Sequence, residues 1–169
     1  MMKKSILFVL VCVSLSGHAQ TYDLAGQLRI IKDLLPASSR LGMLYNPSRP
    51  NIEALITNAS QDTGLVVIKS PVKTARDMTA AIHALARYEL DFIFMIEDKT
   101  VTGTQTIKFV VKQTMRKGIP IFTTDASAFD GGAYGWLVEN GSSWRIKING
   151  NVRDKFDITI PESANFVVE

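Results

Sequence analysis

Cysteine is nearly absent from this chain, and its one copy, Cys12, sits within an N-terminal apolar run. A chain that loses that run has neither disulfide nor thiol chemistry, and folds on its apolar core alone. Histidine is almost as scarce, with only His18 and His83. Without a Cys/His set, zinc sites and Cys–His catalysis have no ligands or nucleophile to draw on, and no metal or cofactor is expected. Charge of one sign is also lacking. Lys and Arg number 19 against 16 Asp and Glu, a net +3, and two of those positive charges are Lys3 and Lys4. No basic stripe marks a nucleic-acid partner. Long apolar runs are missing too. The longest, Ile6 to Leu15, is broken only by Ser14 and is about half of the roughly 20 residues a spanning helix needs.

That run has another reading. Lys3 and Lys4 precede it, and Ser16-Gly17-His18-Ala19-Gln20 follows. A positive start, an apolar core and small residues two apart make a cleavable signal peptide. Cleavage is expected after Ala19, leaving 20–169 as one exported domain of net charge +1, in the periplasm. Val11 before Cys12 argues against a lipid-modification site.

Along that domain, apolar runs alternate with helical periodicity. Leu24, Leu28, Ile31 and Leu35 recur at three and four, and Pro36 ends the pattern. Leu41–Tyr45, Leu65–Ile68, Phe92–Ile96 and Ile119–Phe122 read as buried strands. Ile52–Ala59, Ala75–Tyr88 and Thr102–Lys117 read as the helices between them. Strands without polar alternation, separated by helices, predict an α/β fold: a parallel sheet covered on both faces. A flavodoxin-like order, 2-1-3-4-5, is expected. After Asp130 the pattern changes. Asn140-Gly141 between two strand-like runs predicts a β-hairpin, a C-terminal extension of the sheet. Phe156–Ile160 and Phe166–Val168 are expected as late strands, and Asn149-Gly150 as another turn.

In an open parallel sheet, ligands bind beyond the carboxyl ends of the strands. Those ends carry Asn46-Pro47-Ser48-Arg49-Pro50-Asn51, Glu97-Asp98-Lys99-Thr100 and Thr123-Thr124-Asp125-Ala126-Ser127. Each polar residue taken alone is a good helix cap; gathered on one edge, they mark a ligand rim. Asp98 and Asp125 are either paired carboxylates, helix caps, or partners of Lys99 and Arg49. His83 is mid-helix, and no catalytic residue is assigned. Gly131-Gly132 signals a hinge or bulge. Trp136 and Trp144 flank the hairpin turn and either stack, form an exposed aromatic patch, or pack structurally.

Several of these segments resemble one family. The leucine-rich helix to Leu34-Leu35-Pro36, followed by Arg40-Leu41-Gly42-Met43-Leu44-Tyr45-Asn46-Pro47-Ser48-Arg49-Pro50-Asn51, is similar to a segment of ABC-transporter substrate-binding proteins, among them tryptophan- and tyrosine-binding members. Glu97-Asp98-Lys99-Thr100-Val101 resembles that family's Thr-Asp-Asn-Thr-Val, with Lys99 in place of an amide. Lys117-Gly118-Ile119-Pro120-Ile121-Phe122-Thr123-Thr124-Asp125 resembles its Lys-x-Ile-Pro-Val-Phe-x-Ser-Asp. The resemblance implies one lobe of a periplasmic-binding-protein-like fold and a non-enzymatic, ligand-binding role. It implies a small polar ligand such as an amino acid, at Asn46, Ser48, Asn51, Asp98, Thr100 and Asp125. The partners it implies are a membrane transporter or sensor, or a second copy of the chain. The tail from Gly131 to Asn149 is similar to the end of YfiR-type periplasmic repressors, which implies the alternative of a regulator acting by contact on a membrane diguanylate cyclase.

Overall fold

The computed structural model describes residues 22–169. The expected signal peptide and its cleavage site lie outside them. Five helices and seven strands follow in the order α1 (Leu24–Leu34), β1 (Arg40–Tyr45), α2 (Ile52–Thr63), β2 (Val66–Pro71), α3 (Asp77–Leu85), β3 (Phe92–Met95), α4 (Thr104–Met115), β4 (Ile121–Thr123), α5 (Ala126–Asp130), β5 (Gly135–Asn140), β6 (Ser143–Ile148) and β7 (Phe166–Val168). A 3₁₀ turn occupies Arg153–Lys155.

The strands form one sheet in the order β2-β1-β3-β4-β5-β6-β7. Its first five members are parallel, in the doubly wound order expected from the sequence. β6 runs antiparallel to β5, and β7 parallel to β6.

The continuous apolar runs split by the two-residue period of a strand. Leu41, Met43 and Tyr45 of β1 and Phe92 and Phe94 of β3 pack with Leu28, Ile31, Ile52 and Ile56 of α1 and α2. Leu44, Ile93, Met95 and Ile121 face the other way, against Met78, Ile82, Leu85, Ile107 and Val110 of α3 and α4. Each central strand thus buries both faces, which is why its sequence shows no polar alternation. Pro36 follows the end of α1. Gly64, at φ +68°, closes α2 in the left-handed conformation that glycine adopts without steric cost.

The hairpin turns on Gly141 and Ser142, with Asn140 paired to Ser143. Gly141 has φ +67° and Ser142 is not in the left-handed region. Glycine at the first central position is the type II′ arrangement rather than the Asn-Gly I′ form. Asn149 does start a turn: its Oδ1 accepts from the Asn151 N–H at 3.1 Å.

Two expectations are corrected. Phe156–Ile160 is not a strand. It carries the chain back so that β7 can pair parallel to β6, and it lies over a face of the sheet. Phe156, Ile158 and Ile160 pack on the core there, Phe156 edge-on to Tyr134 at 5.2 Å. Gly131-Gly132 is not a bulge in a strand: Gly131 caps α5, and Gly132 has φ +109°. No described helix is long and apolar enough to cross a membrane.

Candidate functional site

The carboxyl ends of β1, β3 and β4 open onto one cavity of about 820 Å³. Asn46, Ser48, Asp98, Thr100 and Asp125 all line it, joined by Tyr22, Arg49, Glu97 and Lys99. Asn51 is the exception among the six candidates. It is exposed, in the left-handed region at φ +58°, and heads α2 without making a side-chain cap bond. Asparagine tolerates that conformation better than most residues, so its place in the motif has a backbone reason. The start of α2 does not line the cavity.

The rim is organised by its own hydrogen bonds. Asn46 Nδ2 donates to Asp98 Oδ2 at 3.1 Å, and Asn46 Oδ1 accepts the Ser48 N–H at 2.9 Å. Asp98 Oδ1 accepts the Thr100 N–H at 2.8 Å. One amide and one carboxylate thereby tie the β1 and β3 loops together. Asp125 caps α5, accepting from the N–H groups of Ser127 and Ala128 at 2.7 and 3.1 Å. The Thr102 hydroxyl reaches its other oxygen, linking the β3 and β4 loops. The helix-capping alternative therefore holds for Asp125, whereas Asp98 closes a turn ahead of α4, whose own cap is Gly103. Neither carboxylate forms an ion pair with Arg49 or Lys99 among the described residues.

Burial pushes both carboxyls up, but the bonds they accept outweigh it. Those from Thr100 and Asn46 hold Asp98 below the usual carboxylate range, and those from Ser127, Thr102 and Ala128 do the same for Asp125. Both stay ionised at neutral pH. A carboxylate so bonded still has lone pairs to offer a cation.

Tyr22, Arg49, Glu97 and Lys99 are the additions that the candidate set lacked. The Arg49 guanidinium lies 4.2 Å from the centre of the Tyr22 ring, a cation–π contact. Burial raises the Tyr22 phenol to about 12, against the opposing pull of Arg49. Tyr22 precedes α1, far in sequence from any strand end, and no local signal could have placed it at the rim. Arg49 was legible, since it stands inside the Asn46–Asn51 turn cluster.

The hairpin forms a wall beside this rim. β4 ends at Thr123, opposite Trp136, so Leu137–Asn140 of β5 run on past the rim, a projection of about 13 Å. Trp136 pairs with Lys147 and Trp144 with Glu139, and these pairs fall on opposite faces of the hairpin. The two tryptophans therefore do not stack. Trp136 donates to the Thr124 carbonyl at 3.1 Å and packs on Phe129. Trp144 donates to Asp23 Oδ2 at 2.9 Å. Structural packing is the reading that holds for both.

Among solved structures, the fold is similar to a conserved domain protein from Vibrio cholerae O1 biovar El Tor, with 20% identity and a TM-score of 0.72 over 86% of this chain and 60% of that one. It is also similar to an ABC domain in complex with L-Trp from Streptococcus pneumonia, with 21% identity and a TM-score of 0.69 over 85% and 61%. A ligand-free, open substrate-binding protein with adhesive properties from Clostridium difficile gives 17%, 0.68, 84% and 58%. The chain thus spans about three fifths of the length of these structures, and at such identities the likeness establishes the fold. No curated protein matches the chain significantly. The family described as ABC transporter substrate binding protein matches residues 14–142, well over half of the sequence, and this chain belongs to that family.

Proposed function

We propose that the protein is exported to the periplasm and binds a small polar or zwitterionic molecule, such as an amino acid, at the strand-end rim. One observation carries this reading: five of the six candidate residues line a single cavity at the carboxyl ends of parallel strands. Membership of a substrate-binding family supports it, as does a similar domain in complex with L-Trp. Asp98 and Asp125 face a ligand ammonium, and Arg49 a carboxylate, through charge-assisted hydrogen bonds. A membrane transporter would receive the ligand. The contact-regulator alternative gains nothing from the hairpin tryptophans, since the indole N–H of each is already bonded within the fold.

The test is a thermal-shift screen of amino acids and small acids on the exported form, then titration calorimetry of any hit. A ligand that binds only the folded state stabilises it by about 2.7 kcal/mol at a hundred times its dissociation constant. Asp98→Asn should weaken a zwitterion about tenfold or more, since it removes one charge from the site. An unchanged affinity in Asp98→Asn would overturn the assignment of the site.

A further inference from the structure

Beside the rim lies a second cavity of about 470 Å³, floored by Tyr22, Gln27 and Thr124 and walled by Leu137, Val138 and Glu139 of β5. Two features of it are unexplained by folding alone. The first is its floor. Gln27 is 1% exposed, yet its Oε1 has no hydrogen-bond partner among the described residues, and neither do the Tyr22 and Thr124 hydroxyls. Gln27 and Thr124 come close enough to offset part of the burial effect on the Tyr22 phenol, but none of the three atoms reaches bonding geometry. Leaving a buried polar group unpaired destabilises the fold, a penalty that a ligand bonded there would relieve.

The second feature is the wall. Bonded and non-bonded pairs alternate along an antiparallel ladder. The two-residue turn makes Asn140 and Ser143 a bonded pair. Val138 and Trp136 therefore also turn their peptide groups toward β6, and those of Leu137 and Glu139 turn away from it. β4 has already ended at Thr123. Past that point the Leu137 carbonyl and both peptide groups of Glu139 face the cavity, with no backbone partner among the described residues. Such an edge is a template for an added strand.

We propose that this cavity takes a short peptide of two or three residues, paired in extended form with the free edge of β5 and bonded to the floor through Gln27 and Tyr22. The proposal rests on the ligand-binding reading above, because the two cavities share Tyr22, Arg49 and Glu97. The occupant follows from the dimensions. The free edge ends at the Gly141 turn on one side and at Thr123 on the other, so a longer strand finds no further ladder. Arg49 suits a terminal carboxylate, and Glu97 and Glu139 suit a terminal ammonium. None of the three forms an ion pair among the described residues.

The experiment is calorimetric titration of the exported protein with alanine, trialanine, and a trialanine analogue whose central residue is lactic acid, which puts an ester in place of that residue's amide. Trialanine should bind at least about tenfold more tightly than alanine, and the ester analogue more weakly than trialanine, since it cannot donate to the edge. Glu139→Pro deletes the outward N–H at a position where an edge strand accommodates proline, and should cost trialanine about tenfold. Glu139→Gln removes the charge but keeps that N–H, and should cost trialanine less than Glu139→Pro does. If Glu139→Pro fails to fold, the ester analogue decides alone. Equal affinity for amide and ester, or no trialanine binding, overturns the proposal. Alanine binding that is lost in Asp98→Asn, with no gain for trialanine, overturns it too and leaves the rim reading standing. Trialanine binding sensitive to Glu139→Pro, with no ligand responding to Asp98→Asn, supports the proposal and removes the rim reading.

Discussion

Asn149 shows how much one buried amide can hold. It is 6% exposed, and its Nδ2 donates to the Phe129 and Ala133 carbonyls at 3.0 and 3.2 Å. Its Oδ1 holds the Asn151 N–H. It therefore joins the end of α5, the segment before β5 and the turn after β6. Asn149→Ala leaves the Ala133 carbonyl and the Asn151 N–H without partners, while the Phe129 carbonyl keeps the Gly132 N–H, and should destabilise the protein by about 1–3 kcal/mol in urea unfolding. Asp125 makes a different demand, on pH. Burial raises its pKa and the hydrogen bonds from Ser127, Thr102 and Ala128 lower it further than burial raises it. A carboxyl depressed in the fold contributes stability above its unfolded pKa, near 3.9, and that contribution is lost as pH falls through the folded value. Urea midpoints taken from pH 7 down to about pH 3 should fall less in Asp125→Asn than in the wild type. Asp98, Glu53 and Asp77 are lowered as well, so the difference between the two proteins isolates Asp125.

Between elements, the closest fit is where β4 meets β5. A Cβ on Gly135 would come within 2.5 and 2.7 Å of the Phe122 ring and 3.0 Å of Ile146. Phe122 is fully buried and meets Phe92 and Tyr134 edge-on, at 5.7 and 5.6 Å. Its ring has no room to retreat, so Gly135→Ala should cost about 1–3 kcal/mol through overpacking, measured as a lower urea midpoint at unchanged m-value. The sequence announced neither this contact nor the short pieces near it. The long elements were legible because their periodicity is set by burial on one or two faces. β1, β3 and the helices from α1 to α4 came out with only their ends displaced. α5 is five residues long, too short to show a period, so Asp125 read as a candidate cap without the helix that it heads. Phe156–Ile160 alternates like a strand because it packs on a face, not because it has a ladder partner. Five of the rim residues were legible from topology, as polar residues at strand ends. Tyr22 and Gln27 were not, since their place depends on β4 stopping after three residues while β5 continues.

At the scale of the whole molecule, the question is whether the projecting hairpin is a separate unit or part of one cooperative fold. An isolated two-stranded hairpin is marginal in water. This one is anchored at several points. Leu137, Ile146 and Ile148 are buried in the same cluster as α1 and α2. Trp144 donates to Asp23, which also accepts the Gly26 N–H at the start of α1. Lys147 bridges to Glu169 at 2.6 Å, joining β6 to the residue after β7. The clusters on the two faces share the strands β1, β3 and β4, so neither can be exposed without disturbing the other. These couplings predict a single transition. The tryptophan signal comes only from Trp136 on β5 and Trp144 on β6, so fluorescence reports the hairpin while far-ultraviolet circular dichroism reports mainly the helices. The two urea curves should coincide in midpoint and slope, as two-state unfolding requires. A fluorescence transition at lower urea would show the hairpin opening first, as a local unit of low stability. Trp144→Phe tests the coupling from the other side. It removes the bond to Asp23 while keeping an aromatic ring, and should lower both transitions together, by about 1–2 kcal/mol, because that bond ends on a charged group.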